Sequence, residues 1–222
     1  MKFTDGQWLL QPGVTAHYAA EVHSIASEGN KLVVLAPVRP IKHRGDTLQG
    51  PLLTVTLSSP LSCIVRVRIE HAAGGLARGP QIPLLPQEEA AVTIDDSGES
   101  ATLTSGELTA RVKKDSWCMS FEAGGRVLTT SGWRGMAYMQ TADRGNHVVE
   151  QLSLRVGECV YGLGERFTAF VRTARSSKLL IRMAERRASR PTKTSPSISL
   201  TAATESWSMR RVRYLSKSPP KR

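Results

Sequence analysis

Cys63-Ile64-Val65-Arg66-Val67-Arg68-Ile69-Glu70 alternates apolar and charged residues over its whole length. Side chains of a strand point alternately to its two faces, so this run buries Val65, Val67 and Ile69 and wets Arg66, Arg68 and Glu70. Similar β-prone runs lie on either side. Lys31-Leu32-Val33-Val34-Leu35-Ala36 stops at Pro37, and Leu52-Leu53-Thr54-Val55-Thr56-Leu57 stops at Ser58-Ser59-Pro60. Further on, Ala91-Val92-Thr93-Ile94 meets the turn Asp95-Asp96-Ser97-Gly98, from which Ala101-Thr102-Leu103-Thr104 returns. Ser105-Gly106 leads to Leu108-Thr109-Ala110-Arg111-Val112. Trp117-Cys118-Met119-Ser120-Phe121 runs into Ala123-Gly124-Gly125, a hairpin signal. No stretch of ten residues combines a helical period with a cap. Short strands with frequent turns predict an all-β, antiparallel sandwich.

The charge is divided sharply along the chain. Its 222 residues carry a net +11. Residues 1–172 hold 17 basic and 17 acidic residues, whereas residues 173–222 hold 13 basic and only 2 acidic ones. A basic excess of this size ordinarily points to nucleic acid or an anionic membrane. Here it belongs to the last fifty positions, and the body is neutral. No apolar run is long enough to span a bilayer, and Asp5 and Gly6 interrupt any secretory pattern at the start. Cys63, Cys118 and Cys159 are odd in number and widely spaced. They read as buried free thiols in a reducing cytoplasm rather than a disulfide or metal framework.

Candidate chemistry in the body is sparse. Gly162-Leu163-Gly164-Glu165-Arg166-Phe167 contains a Gly-x-Gly that could cradle a phosphate, but lacks the rest of a dinucleotide fingerprint. A bulge or close strand crossing accounts for it better. His17, His23, His43, His71 and His147 lack metal-ligand spacing. Glu70 and Glu165 could form an acid/base pair for glycoside cleavage, but nothing in the sequence sets them opposite each other, and satisfied structural carboxylates are the simpler reading. Trp8, Trp117, Trp133 and Tyr138 could stack on sugar rings, or pack the core and rim. Ser24 lies outside any Gly-x-Ser-x-Gly elbow.

Several stretches resemble the bacterial α-xylosidases of glycoside hydrolase family 31. They are Asp5-Gly6-Gln7-Trp8-Leu9-Leu10-Gln11-Pro12-Gly13, Val67-Arg68-Ile69-Glu70-His71 and Ser105-Gly106-Glu107-Leu108-Thr109-Ala110-Arg111-Val112. The strongest runs from Val156-Gly157-Glu158-Cys159-Val160-Tyr161-Gly162-Leu163-Gly164-Glu165-Arg166-Phe167 to Arg172. The resemblance covers residues 1–172. It implies a galactose-mutarotase-like β-sandwich that in the family precedes a catalytic (β/α)8 barrel. The family's nucleophile and acid/base are aspartates of that barrel, and neither has a counterpart here. The resemblance therefore implies carbohydrate as partner and no catalytic, cofactor-binding or metal residue in this chain. Nucleic-acid and membrane partners are not expected.

After Arg172 the resemblance ends. The family continues with an Asp-Gly-Gly-Thr loop and Lys-Asn-Ile-Pro-Phe-Tyr and Tyr-Gly-Val-Leu-Val-Asn strands. Codons for Thr192-Lys193-Thr194-Ser195-Pro196-Ser197-Ile198-Ser199-Leu200-Thr201, read from the third base, can spell Lys-Asn-Ile-Pro-Phe-Tyr-Leu-Thr-Asn. Ala202 to Met209 continue as Arg-Gly-Tyr-Gly-Val-Leu-Val-Asn, and Met183-Ala184-Glu185-Arg186 contain Asp-Gly-Gly. Met183, Trp207 and Met209 leave no codon choice. The ordered match points to a reading-frame change near Thr173, with residues 173–222 translated out of frame. The Arg, Ser, Thr and Pro content of that tail predicts disorder, and loss of the family's closing strands predicts an incomplete sandwich with an open edge. A stand-alone carbohydrate-binding sandwich is the alternative reading, and nucleic-acid binding through the basic tail comes last.

Overall fold

The computed structural model describes residues 3–5, 9–71, 90–142, 145–162, 171, 198–202 and 205–207. Among them there is no α-helix, only strands, turns and one 3-10 turn at Arg44–Leu48. The chain forms two compact units, one built on Leu10–Ser153 and the other on Leu154–Val212.

The first unit holds twelve strands. They are Val14–Tyr18 (β1), Ser24–Glu28 (β2), Lys31–Pro37 (β3), Leu52–Leu61 (β4), Ile64–His71 (β5), Thr93–Asp95 (β6), Ser100–Ser105 (β7), Leu108–Lys113 (β8), Met119–Ala123 (β9), Arg126–Ser131 (β10), Met136–Thr141 (β11) and Gly145–Glu150 (β12). One sheet has the order β2-β3-β4-β5, a second β10-β9-β8-β7-β6, and a third β12-β11-β1. The first two are antiparallel meanders in which each strand pairs with its sequence neighbour. The all-β sandwich expected from the sequence is present.

Alternation builds the core. Leu53, Val55 and Leu57 on β4 are fully buried, whereas the alternating Thr54, Thr56 and Ser58 are not. The register sets Leu57 opposite Leu32, Val55 opposite Val34 and Leu53 opposite Ala36, all fully buried. From the facing sheet come Ala101 and Leu103 of β7 with Ala110 and Val112 of β8. Each such leucine or valine contributes roughly 1.5–3 kcal/mol by leaving water. On β5, Val67 and Ile69 share this inner face but are only half-buried, because β5 is an edge strand with one paired neighbour.

The expected turns appear where glycine permits a positive φ. Gly98 (φ 76°) follows an Asx turn in which the Ser97 amide donates to Asp95 Oδ1 at 2.9 Å. Gly124 and Gly125 (φ 56° and 72°) join β9 to β10. At one end of the sandwich two turns meet. The Ser59 and Ser105 hydroxyls hydrogen-bond at 2.7 Å inside the core, and the Glu107 amide donates to Cys63 Sγ at 3.5 Å.

Here the expectation of buried thiols is corrected. Cys63 is exposed, at a turn with φ 59°, and Cys118 and Cys159 are half-buried. The β4–β5 turn carries Cys63 outward because its local geometry, not its apolarity, sets the position. Gly106 sits against this turn at φ +58°, and a Cβ there would lie 2.5 Å from Cys63 Sγ and 2.9 Å from Ser62 Oγ. Gly106→Ala is therefore expected to cost about 1–3 kcal/mol in urea unfolding. Adding Cys63→Ala should recover part of that loss, since the φ penalty stays and the sulfur contact goes.

In the second unit, Cys159–Gly162 (β13) pairs antiparallel with Ile198–Ala202 (β14), which pairs with Glu205–Trp207 (β15). β14 and β15 fall within residues 173–222, the segment whose composition predicts disorder. Tyr161 and Val160 are set opposite Ser199 and Leu200 by backbone hydrogen bonds, which any alternating β-prone run can supply. Ile198-Ser199-Leu200-Thr201 is such a run.

Candidate functional site

The residues singled out by sequence scatter rather than converge. Glu70 is ion-paired with Arg68, Nη2 to Oε1 at 2.7 Å, on β5, and Glu165 lies outside the described residues. Of the Gly162–Phe167 motif only Gly162, the last residue of β13, is described. His71 Nδ1 is 3.0 Å from the Leu52 carbonyl oxygen, and its ring centroid is 4.3 Å from that of Tyr138. His17 Nε2 is 3.0 Å from Gln140 Oε1. His43 caps the 3-10 turn, its Nδ1 accepting from the Gly45 amide at 3.1 Å. His23 is exposed just before β2, His147 lies on β12 opposite Met139, and Ser24 begins β2. Among the described residues no group of three His, Cys, Asp or Glu is placed to hold a metal.

The aromatic candidates separate cleanly. Trp117 and Tyr138 are core residues, at 3% and 7% exposure. Trp8 lies outside the described residues. Trp133 is 75% exposed. It stands in the turn between β10 and β11, where the Gly135 amide donates to the Gly132 carbonyl at 2.8 Å. Arg134 follows it at φ 60°, in the turn position that glycine usually occupies. A non-glycine residue held there costs about 1–3 kcal/mol. Gly135 has no room for a Cβ, which would fall 2.5 Å from Ser131 Oγ and 2.9 Å from the Gly132 oxygen. The turn is thus rigidly set, and it directs Arg134 between two rings. Its guanidinium carbon lies 4.3 Å from the Trp133 ring centroid and 5.5 Å from that of Tyr18 on β1.

These residues border a groove of about 710 Å³. His17 and Tyr18 of β1 line one side, with Arg39 and Gln49 from the segment between β3 and β4. Arg39 Nη1 donates to Gln49 Oε1 at 2.6 Å. The groove offers ring faces, guanidinium donors, an amide and the His17 imidazole, and among the described residues no carboxylate lines it. Sequence reading found Trp133 but missed Tyr18, Arg39, Gln49 and Arg134. The signal it passed over was Gly132-Trp133-Arg134-Gly135, an aromatic residue at the tip of a glycine-flanked turn.

Comparison with known proteins decides the family. The model of the glycosyl hydrolase 31 N-terminal galactose mutarotase-like domain matches residues 54–187, well over half of the chain. The chain belongs to this family. The glycosyl hydrolase 31 sandwich accounts for the antiparallel sheets and for the motifs around Ile69, Leu108 and Tyr161. Alpha-xylosidase XylQ of Lactiplantibacillus pentosus is 33% identical over 175 residues, covering 78% of this chain and 23% of that protein. An alpha-xylosidase of Emericella nidulans is 30% identical over 197 residues, covering 79% of this chain and 25% of that protein. The chain thus spans about a quarter of the length of these relatives. The cycloalternan-forming enzyme of Listeria monocytogenes, solved with a pentasaccharide substrate, shares the fold. It superposes with a TM-score of 0.54 at 15% identity, over 72% of this chain and 14% of that one. No helix among the described residues is long and apolar enough to cross a membrane.

Proposed function

We propose that this chain is the N-terminal sandwich of an α-xylosidase-like retaining glycoside hydrolase and that it does not hydrolyse glycosides by itself. The observation that carries this reading is where the similarity falls: two alpha-xylosidases align with most of this chain over about a quarter of their own length. Retaining hydrolysis needs two carboxyl groups roughly 5–5.5 Å apart across the scissile bond. Glu70, the described carboxylate considered for that role, is held by Arg68. The chain incubated with 4-nitrophenyl α-D-xylopyranoside is expected to release no nitrophenol above the blank. Turnover that disappears in Glu70→Gln would overturn the proposal.

The proposal extends to the tail. Residues 173–222 are the same family's coding sequence read in another frame, which explains why 13 of the 30 basic residues fall there. The match to the family model stops at residue 187, which leaves most of the tail beyond it. Nucleotide sequence across the codons of Arg172 to Arg175 tests it. The reading fails if no alternative frame spells the family strands at Thr192 to Met209.

A further inference from the structure

We propose that the groove at the Trp133–Arg134 turn is a saccharide-binding subsite that takes a neutral pyranoside ring. Four observations lead there. Trp133 projects at 75% exposure, which leaves most of an indole surface in water, whereas Trp117 is buried. An exposed indole fits the C–H face of a pyranose, which is flat, apolar and rimmed by hydroxyls. Arg134 occupies a left-handed backbone position that glycine would fill without strain. The fold accepts that strain, and the result is a guanidinium held against Trp133 and Tyr18 at the groove's edge. Strain held by a rigid turn around an exposed side chain is characteristic of binding sites.

The polar groups complete the match. Arg134 and Arg39 supply N–H donors in fixed planes, and the Gln49 amide can both donate and accept. His17, also lining the groove, adds a ring nitrogen. Ring hydroxyls need such a mixture of donors and acceptors beside an apolar platform. The groove, about 710 Å³, is large enough for a disaccharide. Only the choice of sugar rests on the glycosidase reading. Nitrophenol release would sink that reading and leave this site standing.

The test uses the whole chain and isoprimeverose, an α-xylosyl disaccharide, observed by saturation-transfer NMR and titrated against tryptophan fluorescence. Binding is expected to weaken at least about tenfold in Trp133→Ala. Arg134→Gly separates recognition from folding, because glycine relieves the φ strain while removing the guanidinium. It should weaken binding several-fold and leave the melting temperature unchanged or higher. A glucuronate-bearing disaccharide and inorganic phosphate serve as anionic probes. No detectable isoprimeverose binding, binding unchanged in both variants, or binding confined to the anionic probes would overturn the proposal.

Discussion

Leu57→Ala is expected to lower the unfolding free energy by about 2–5 kcal/mol. Leu57 is fully buried on β4, with Leu32 opposite it on β3 and Val67 opposite it on β5. Truncation removes apolar surface from the core and leaves a cavity. Both neighbouring strands are held to β4 by ladder hydrogen bonds, so they cannot move in to fill it. Leu52→Ala is the control. Leu52 begins the same strand but is 38% exposed, and its truncation should cost under about 1 kcal/mol. Urea unfolding of both variants, at unchanged m-value, checks the contrast. Equal losses would mean that β4 does not form the centre of the core.

The second large effect is a fall in stability between mildly acidic and mildly alkaline pH. Both Glu150 carboxyl oxygens are shielded from solvent, and burial pushes this carboxyl from 4.5 up to about 8. The neighbouring Ser131 hydroxyl opposes the shift without cancelling it. Folded protein therefore keeps this proton up to about pH 8, while unfolded chain releases it near 4.5. Over that interval the folded state binds more protons, so stability declines as pH rises. The contribution is complete below 4.5 and is lost by the time pH has passed about 8. It amounts to an order of 4–5 kcal/mol.

Glu122 works in the opposite sense and in another window. Its hydrogen bond from Arg111, Nε to Oε1 at 3.0 Å, holds its carboxyl below the usual range. That contribution is present above about 4.5 and fades only at more acid pH. Thermal melts of the native chain should thus drop from pH 5 to pH 8. Glu150→Gln, neutral throughout, should flatten the profile and melt higher at pH 8. Parallel profiles for the two proteins would show that Glu150 is hydrated and ionised in the folded state.

Legibility in the sequence followed the range of the interactions. The alternation in β4 and β5 and the turns at Gly98, Gly106 and Gly124-Gly125 were readable because each depends on residues a few positions apart. The strand β11 was not. Met136, Ala137, Tyr138 and Met139 are all buried, since β11 lies between β1 and β12 and is covered on both faces. Such a run carries no period of two. The Cys63 reading failed for a related reason, since turn geometry overrode the preference of a free thiol for the interior.

The sequence by itself determined the β class, the family resemblance through Val156 to Arg172, and the confinement of the charge excess to the last fifty residues. These follow from local pattern and composition. Only the tertiary structure decided that Trp133 faces water while Trp117 and Tyr138 do not, and that Arg134 meets Tyr18. It alone decided that Ile198–Ala202 pairs with β13 and that the Glu150 carboxyl oxygens are shielded from solvent. Exposure, stacking and proton affinity depend on which distant strand covers a residue, and no local period records that.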